Sequence, residues 1–471
     1  MIGRLPSGQD SLDLVLGGGL PENAINLIAG LPGTGKTLLA EQYLFRNASP
    51  ERPGVYCVTT SEPFEKIVRY GQTLSFFDPS AVGRSVFYED LASVLRSGSL
   101  AAVVERLSQI LRERRPAVLV IDSFKALQTY AADRAEYRRF VSELAARVSA
   151  LSVNAFWVGE YEVDDLARDP EFAVADSIIS LQRHAGGERI LRSLQVLKLR
   201  GSGFRSGSHA YRLSADGLHV FPRLADIRVE GPYEVAAGRL STGLSELDAM
   251  LGGGLLPGTA TLIAGPSGSG KTLLALRFLL AAAGAGEQAV YAGMQENPTQ
   301  LWRVMDAFGW ERAGVEVLYR SPVDVYIDEW VYEVLETVER TGARRLVIDS
   351  LSDLRVASPD QTRFQEYMYS LVQRSARAGV NLLMTLETAA LGAGPTTATI
   401  SHLADTVILL RHSLETGRMR RAIAVLKARA SAHDQALRPF DIDGRGIRIA
   451  AAESVDWTQP DALEAIAEAT R

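Results

Sequence analysis

An internal repeat constrains this chain more than any other feature of its sequence. Residues 3–37 contain Gly-Arg-Leu-Pro-Ser-Gly, then Leu-Gly-Gly-Gly-Leu, then Gly-Leu-Pro-Gly-Thr-Gly-Lys-Thr. Residues 238–272 repeat this order as Gly-Arg-Leu-Ser-Thr-Gly, Leu-Gly-Gly-Gly-Leu and Gly-Pro-Ser-Gly-Ser-Gly-Lys-Thr, at a constant offset of 235 residues and without a gap. Because the offset is the length of an ordinary domain, the sequence predicts two copies of one domain within 471 residues.

Each half alternates apolar segments that predict strands with amphipathic segments that predict helices. Between Leu100 and Arg114, for example, apolar side chains recur at helical spacing, and Pro116 ends that helix. Such alternation is typical of α/β domains, in which helices flank a mostly parallel sheet. The predicted helices span 37–46 and 100–114, and the predicted strands span 25–29, 55–59 and 117–122 in the first half and 261–264, 289–293 and 345–349 in the second.

Both halves close with alternating segments, 193–199 and 422–427, which predict antiparallel strands. Gly231 and Pro232 lie in a stretch whose composition predicts an interdomain linker. We therefore place the first domain at residues 1–225, the linker at 226–237, the second domain at 238–451 and a short acidic tail at 452–471.

The motif Gly-x-x-x-x-Gly-Lys-Thr occurs once in each half, after a predicted strand and before a predicted helix. Such a loop binds phosphate because glycine lets successive backbone N–H groups converge on an anion at the positive end of a helix. We expect Lys36 and Lys271 to reach the β- and γ-phosphates of ATP, and the hydroxyls of Thr37 and Thr272 to ligate Mg²⁺. The candidate nucleotide-binding residues are Gly33, Thr34, Gly35, Lys36, Thr37 and Leu38 in the first half and Gly268, Ser269, Gly270, Lys271, Thr272 and Leu273 in the second.

Each half also carries an aspartate at the end of an apolar strand downstream of its phosphate loop. Asp122 follows Ala-Val-Leu-Val-Ile, Asp349 follows Arg-Leu-Val-Ile, and a serine comes next in both cases. A carboxylate in this position holds Mg²⁺ beside the bound nucleotide. We therefore expect Thr37 with Asp122, and Thr272 with Asp349, to form two magnesium sites, and the sequence suggests no other metal.

Hydrolysis requires a group that orients or deprotonates the attacking water, and we look for it at the end of the second strand. The first half has Glu62 there, and the second half has Glu296. These two glutamates are the candidate catalytic residues. The alternative is that each is only an acidic residue at the start of a helix, near Pro63 or Pro298.

Composition and motif placement argue against several other classes of protein. No apolar run reaches the roughly 20 residues that a membrane-spanning helix needs, so we expect no membrane association. The first motif follows Met1 directly, which leaves no room for a signal peptide, and the single cysteine, Cys57, cannot form an internal disulfide. Both features favour a cytoplasmic protein. Cys57 lies within Val-Tyr-Cys-Val and is expected to be a small buried hydrophobic residue.

The twin phosphate loops, the Leu-Gly-Gly-Gly-Leu stretches and the two Ile-Asp-Ser segments together resemble the KaiC circadian-clock ATPases of the RecA-like superfamily. The resemblance covers nearly the whole chain and implies two tandem RecA-like P-loop domains that use ATP and Mg²⁺. In that family a late Lys-x-Arg reaches across a subunit interface to the γ-phosphate of the neighbour, which implies a homo-hexameric ring. The matching residues are Lys198 and Arg200 in the first half and Lys427 and Arg429 in the second.

The chain departs from that family at the catalytic and phosphorylated positions. The family has a Glu-Glu pair after the second strand, with the first member favoured as the base, whereas Ser61 and Gln295 precede the two glutamates here. Glutamine can hold a water but cannot accept its proton, so we expect slow hydrolysis. The Ser-Thr pair that the clock protein phosphorylates on itself corresponds to Ser401 and His402, so the resemblance implies at most a weak serine autokinase.

Three functions fit these features, and we expect an ATP-driven regulatory or signalling hexamer with a regulatory protein partner. A DNA-processing ATPase of the RecA, RadA or DnaB type is one alternative, but such proteins line their pore with basic loops. The corresponding loop is acidic at 160–169 and has no cation at 388–397, and the net charge is −6, so we expect no nucleic-acid partner. An ATP-binding scaffold without significant turnover is the other alternative.

Overall fold

The structure is a computed structural model of the chain. It describes residues 3–59, 64–97, 99–162, 165, 168–186, 189–226, 237–312, 314–322, 325–358, 360–388, 402–415 and 418–450. The chain divides into two units, Met1–Ile227 and Arg228–Arg471. Each unit is built around one nine-stranded sheet, and the first also has a short two-stranded sheet.

The first unit alternates strands and helices and then continues as four consecutive strands. Its helices are α1 (Asp10–Val15), α2 (Lys36–Asn47), α3 (Phe64–Gly71), α4 (Ala92–Ser97), α5 (Leu100–Arg114), α6 (Arg134–Ser149) and α7 (Pro170–Val174), with short 3-10 turns at Pro79–Ala81, Lys125–Tyr130 and Leu224–Asp226. Its strands are β1 (Arg4–Leu5), β2 (Leu20–Pro21), β3 (Ile25–Gly30), β4 (Gly54–Val58), β5 (Val86–Asp90), β6 (Val118–Asp122), β7 (Asn154–Gly159), β8 (Ser177–Gly186), β9 (Arg189–Leu199), β10 (His209–Ser214) and β11 (Gly217–Phe221).

The large sheet of the first unit has the strand order β11-β10-β9-β8-β3-β7-β6-β4-β5. The six strands from β8 to β5 in that order run parallel. The other three, β9, β10 and β11, extend the sheet with antiparallel pairs. Parallel neighbours need crossover connections, and here helices supply most of them and cover the sheet.

The second unit has the same plan. Its helices are α8 (Ser245–Met250), α9 (Lys271–Gly284), α10 (Pro298–Ala307), α11 (Ile327–Thr341), α12 (Leu351–Ala357) and α13 (Gln361–Arg377). Its strands are β12 (Ala260–Gly265), β13 (Ala289–Gly293), β14 (Val315–Tyr319), β15 (Arg345–Asp349), β16 (Asn381–Glu387), β17 (Thr406–Glu415), β18 (Arg418–Ala428), β19 (Arg438–Asp443) and β20 (Gly446–Ile449). Their order is β14-β13-β15-β16-β12-β17-β18-β19-β20, so each strand occupies the position of its counterpart in the first sheet.

Apolar side chains cover both faces of each sheet, because successive residues of a strand point to opposite faces. In β3, Leu27 belongs to the core that includes α5 and α6, while Ile28 belongs to the core that includes α2. A strand covered on both faces is apolar along its length. In β6, the residues from Val118 to Ile121 are fully buried, and Asp122 at the carboxyl end is the first to be partly exposed. The first charged residue of this strand thus stands at its carboxyl end.

The predicted fold class is confirmed, because both units are α/β with a mostly parallel sheet flanked by helices, the architecture of two tandem RecA-like domains. The helices predicted at 37–46 and 100–114 are α2 and α5, and the closing antiparallel segments lie in β9 and β18. Residues 227–236, which make up most of the predicted linker, and the tail 452–471 lie outside the described residues. Among the described helices, none is both long and apolar enough to cross a membrane.

Candidate nucleotide sites

The phosphate loop of each unit joins a central strand to a helix: β3 to α2 in the first unit, and β12 to α9 in the second. Gly35 and Gly270 precede these helices, with φ of +89° and +101°. Glycine adopts this left-handed conformation at little cost, and a Cβ on Gly35 would also lie 2.7 Å from Leu213 Cδ2. The loops therefore turn tightly onto the free N–H groups of the first helical turn, which favours an anion there. The other predicted loop residues lie in the same loops or first turns: Gly33, Thr34, Leu38, Gly268, Ser269 and Leu273.

The two loop lysines fold back onto their own loops. Lys36 Nζ donates to Leu31 O at 2.9 Å. Lys271 Nζ donates to Gly265 O at 3.0 Å and to Pro266 O at 2.8 Å. Both side chains are buried below one tenth exposure. Each ammonium group is therefore held inside the loop by neutral carbonyl acceptors, where an incoming phosphate could replace them.

The predicted magnesium residues come together in both units. Thr37 Oγ1 donates to Asp122 Oδ2 at 2.7 Å, and Thr272 Oγ1 donates to Asp349 Oδ2 at 2.7 Å. The aspartate ends the strand two positions from the loop strand, and the threonine lies in the first turn of the helix after the loop. Hydroxyl and carboxylate oxygens are the donors that Mg²⁺ prefers, so this donor set fits Mg²⁺ beside a bound phosphate.

In each unit a tyrosine, which sequence analysis did not predict, also donates a hydrogen bond to the aspartate of the Thr–Asp pair. Tyr56 Oη donates to Asp122 Oδ2 at 2.7 Å, and Tyr291 Oη donates to Asp349 Oδ2 at 2.8 Å. Burial, followed by the charge of the neighbouring aspartate, raises the pKa of both tyrosines, so each remains a donor. The available signal was the recurrence of Val-Tyr in the second strand of both halves.

A glutamate at the end of the next strand also escaped the sequence analysis. Glu160 follows β7, which pairs with β3, and Glu387 ends β16, which pairs with β12. Burial lowers the pKa of both loop lysines, Lys36 and Lys271. The nearby carboxylates raise it again, Glu160 and Glu387 more strongly than the two aspartates. Each unit therefore has a second carboxylate within electrostatic reach of its loop lysine.

Of the two predicted catalytic residues, Glu62 lies outside the described residues, and Glu296 is half-buried in the short segment between β13 and α10. Burial, then Asp349 and Glu296, raise the pKa of Tyr291, so the Glu296 carboxylate is within electrostatic reach of the magnesium residues. Helix α10 begins just beyond it and is capped by Asn297 through a capping box. The cap of that helix is thus Asn297 and not Glu296.

The Lys-x-Arg of the first unit lies at the sheet edge opposite to its phosphate loop. Lys198 and Arg200 stand where β9 ends beside the start of β8. The length of β3 separates this edge from the loop, about 15–20 Å at roughly 3.3 Å per residue. Lys198 Nζ donates to Phe172 O at 3.3 Å and Ala173 O at 3.0 Å, and Arg200 Nη1 is 3.3 Å from Asp176 Oδ1.

The second unit repeats this arrangement. Lys427 Nζ donates to Ala404 O at 2.6 Å. Arg429 Nη1 is 3.6 Å from Asp405 Oδ1, and its Nη2 donates to His402 O at 3.3 Å. The Arg200 and Arg429 side chains are 60% and 55% exposed. Neither unit can therefore deliver its own arginine to its own phosphate loop.

Several other predicted features are only partly described. Ser401 and residues 389–397 of the second loop lie outside the described residues. In the acidic loop of the first unit, Asp165 forms an ion pair with Lys125. Cys57 is fully buried, and burial raises the pKa of its thiol, as expected for a small core residue.

Comparison with known proteins identifies the family. The family model described as "ATPase: KaiC" matches residues 5–225 and again residues 240–454. The chain belongs to the KaiC ATPase family. It is 30% identical to the circadian clock oscillator protein KaiC of Picosynechococcus sp., over 93% of this chain and 88% of that protein. It is 29% identical to the circadian clock protein KaiC3 of Synechocystis sp., over 95% of this chain and 92% of that protein.

Each range that matches the KaiC family contains a complete set of the site elements described above. The first holds one phosphate loop, one Thr–Asp pair and one Lys-x-Arg, and the second holds another of each. The resemblance predicted from the sequence is therefore confirmed for both halves. As a KaiC-family ATPase with two such ranges, the chain has two separate candidate nucleotide sites.

Proposed function

We propose that this KaiC-family chain hydrolyses ATP slowly, with Mg²⁺, in both units of a homo-hexameric ring that has a regulatory or signalling role. The observation that carries the proposal is the repeated pair of oxygens, Thr37 with Asp122 and Thr272 with Asp349, each beside a glycine loop. Mg²⁺ held there would neutralise charge on the transferred phosphoryl group.

When the phosphate loop binds the triphosphate, its lysine would exchange weak hydrogen-bond acceptors for stronger ones. The N–H groups at the start of α2 and α9 would donate to the bound anion. Lys36 and Lys271 would leave their carbonyl acceptors for phosphate oxygens, because hydrogen bonds between ionised partners are shorter and stronger. Nucleotide binding then satisfies a cation that burial otherwise disfavours.

Glu62 and Glu296 are the proposed groups that polarise the attacking water. Serine and glutamine precede them where the family favours the base, which is why we propose slow turnover. Glu160 and Glu387 supply a second candidate position, since each lies within electrostatic reach of the loop lysine. Substituting the two pairs separately distinguishes these assignments.

The ring is proposed because neither Lys-x-Arg can reach the phosphate loop of its own unit, and in the family that the chain resembles these residues reach the γ-phosphate of a neighbouring subunit. Cations supplied by a neighbour make hydrolysis depend on assembly, as an arginine finger does. Light scattering with saturating MgATP should then give a particle about six times the mass of the 51.1 kDa chain. A monomer under these conditions, with ATP bound, would refute the ring and leave the nucleotide sites intact.

A scaffold that binds ATP without significant turnover is the second candidate function. The second unit supports this candidate. Gln295 stands at the position where the family favours the catalytic base, and an amide cannot accept a proton from water. Phosphate release in single-turnover experiments separates the two: a scaffold retains intact ATP, and a slow ATPase converts it.

Weak autokinase activity at Ser401, a regulatory protein partner and a cytoplasmic location complete the proposal, and they rest on the resemblance and the composition. Incubation with γ-labelled ATP tests the first of these. Label should enter the wild-type chain and be absent from Ser401→Ala. Equal label in both would place phosphorylation elsewhere.

A further inference from the structure

The Leu-Gly-Gly-Gly-Leu stretch of each unit lies outside the phosphate loop that it precedes and packs against a different part of the fold. These stretches, residues 16–20 and 251–255, are termed the glycine turns and follow directly after α1 and α8. The chain that leaves the Lys-x-Arg strand, residues 200–205 and 429–434, is termed the arginine segment. In both units the arginine segment lies against the glycine turn, although the two are far apart in sequence.

Backbone hydrogen bonds hold the arginine segment at both of its ends. In the first unit Arg200 N donates to Asp176 O at 2.9 Å, beside the start of β8. Five residues later Arg205 N donates at 2.8 Å to Val15 O, at the end of α1. The second unit has the same two bonds, Arg429 N to Asp405 O at 2.9 Å and Asp434 N to Met250 O at 2.8 Å.

Between these two bonds, the segment approaches the first glycine of the turn so closely that a side chain would not fit. A Cβ on Gly17 would lie 2.1 Å from Gly203 O, and a Cβ on Gly252 would lie 2.7 Å from Ala432 O. Both distances are well below van der Waals contact. The φ angles of the two glycines, +68° and +70°, are also in the left-handed region. The path of the arginine segment therefore depends on the absence of a side chain at these positions.

In the second unit an arginine side chain also joins the turn to the segment. Arg239 Nη1 donates to Leu251 O at 3.2 Å and to Gly254 O at 2.8 Å, both within the glycine turn. Its Nη2 donates to Ser431 Oγ at 2.9 Å, two residues after Arg429. Arg239 thus fixes the segment to the turn through hydrogen bonds that can be removed without adding bulk.

We infer that Gly17 and Gly252 are positioning residues that hold the arginine segment so that Arg200 and Arg429 are presented to the nucleotide of another copy of the chain. The inference rests on the proposed function, in that the Lys-x-Arg acts in trans. A side chain at either glycine displaces the arginine and leaves the phosphate loop of the same unit intact. Displacing a catalytic group by about 1 Å can cost about 10²-fold in rate.

The first test compares two neighbouring glycines in Lys271→Ala chains, in which hydrolysis is confined to the first unit. Gly17→Ala places a methyl group against the arginine segment. Gly18→Ala is the matched control: its φ is +105°, but its Cβ would meet no atom of the described residues within 4 Å. Gly17→Ala should lower kcat by about 10²-fold and leave ATP affinity unchanged, while Gly18→Ala should stay near its background.

The second test separates a misplaced arginine from a damaged loop. Gly17→Ala, Lys271→Ala chains are mixed with Lys36→Ala, Lys271→Ala chains, whose arginine segment is intact. Part of the activity should return, because an intact loop can then face an intact segment from the other variant. A defect in a chain's own loop cannot be repaired in this way. Arg200→Ala, Lys271→Ala chains mixed with the same partner are the reference.

A variant without added bulk covers the case in which Gly17→Ala does not fold, which thermal unfolding without nucleotide reveals. Arg239→Ala in Lys36→Ala chains removes the link to Ser431 and is read in the second unit alone. It should lower kcat by about tenfold, the loss that corresponds to one hydrogen bond, at unchanged ATP affinity. Mixing with Lys36→Ala, Lys271→Ala chains should restore part of the rate.

The outcomes that overturn the inference differ from those that overturn the proposed function. An unchanged kcat in folded Gly17→Ala, or in Arg239→Ala, shows that the turn does not position the arginine. A loss in Gly18→Ala as large as in Gly17→Ala assigns the effect to the backbone of the turn. If the Arg200→Ala mixture recovers and the Gly17→Ala mixture does not, the glycine acts on its own site. If the Arg200→Ala mixture does not recover, the trans assignment falls, and the inference falls with it.

Discussion

Gln295 donates its side-chain amide to Asp353 Oδ1 at 2.9 Å. The other oxygen of Asp353 accepts from Ser350, the residue that caps α12. Gln295 occupies the place where the KaiC family favours the catalytic base, and it is engaged there by a carboxylate at the start of a helix. Since an amide cannot accept a proton, we propose that the next residue, Glu296, takes any proton transferred from water at this strand end.

The first prediction concerns this strand end. A carboxylate that polarises water typically contributes about 10²–10⁴-fold to the rate. Glu62→Gln combined with Glu296→Gln should therefore lower hydrolysis by at least 10²-fold and leave ATP affinity nearly unchanged. Restoring the pair with Gln295→Glu, or with Ser61→Glu in the first unit, should raise the rate above wild type.

The matched control for this prediction is the other pair of glutamates. Glu160→Gln with Glu387→Gln makes the same change of charge at the ends of β7 and β16. If substitution of Glu160 and Glu387 abolishes turnover and substitution of the Glu62–Glu296 pair does not, the base lies at the ends of β7 and β16. Steady-state phosphate release and equilibrium nucleotide binding, measured on the same samples, separate the two cases.

The second prediction is that the two nucleotide sites are independent. Lys36→Ala should remove one bound nucleotide per chain and Lys271→Ala the other, because each lysine lies within its own loop. Isothermal titration should give two sites in the wild type, one in each single variant and none in the double variant. Loss of both sites through either single change would show that the sites are coupled.

The third prediction uses the opposite placement of loop and Lys-x-Arg. Arg200→Ala with Arg429→Ala should bind nucleotide normally and lose about 10³–10⁵-fold in hydrolysis, the usual contribution of an arginine finger. Mixing this chain with Lys36→Ala, Lys271→Ala chains should restore part of the activity. Each intact loop in the mixture can then face an intact arginine from the other variant. A mixture as inactive as its components would exclude the trans assignment.

The fourth prediction is a pH dependence of stability in the first unit. Glu171 is fully buried, and Tyr161 and Tyr137 donate to its Oε1 at 2.6 and 3.1 Å. Burial raises the pKa of this carboxyl, and the two hydrogen bonds oppose the shift without cancelling it. The folded chain thus keeps a proton that the unfolded chain releases above about pH 4.3.

The sign follows from this difference in bound protons. As pH rises from about 4.3 through the raised pKa, the wild type loses about 1.4 kcal/mol of unfolding free energy for each pH unit. Glu171→Gln does not titrate, so its stability relative to wild type should increase over that range and then level off. Urea unfolding at successive pH values measures the difference, with the exposed Glu162→Gln as control. A difference that stays constant with pH would contradict the prediction.

The sequence predicted the helices and strands whose apolar residues follow a regular pattern. Strand β6 is apolar until Asp122, and helix α5 repeats apolar residues at helical spacing between a serine and a proline, so both were identified within one residue. The Thr–Asp pairs were predicted because a phosphate loop and a strand-end carboxylate are local motifs. Tyr56 and Tyr291 were not, because their contacts with the aspartates depend on strand order.

Strand order is a tertiary property that local periodicity does not report. Strands β4 and β7 lie on either side of β6, although the chain visits β5 and three α-helices between β4 and β6. Tyr56 therefore meets Asp122 only once the sheet has assembled. The same holds for Glu160, which lies near Lys36 because β7 inserts between β3 and β6.

Because the phosphate loop and the Lys-x-Arg lie at opposite edges, each unit has two unlike ends. A two-fold dimer that packs equivalent edges against each other would join loop to loop or cation to cation, and would complete no site. Head-to-tail contact joins unlike edges, and repeated contacts of that kind must close into a ring or grow into a filament. If copies of the chain meet in this way, whether they stop at a closed number depends on a small angle between neighbours, and a surface substitution that altered that angle would favour fibres without touching Arg200 or Lys36.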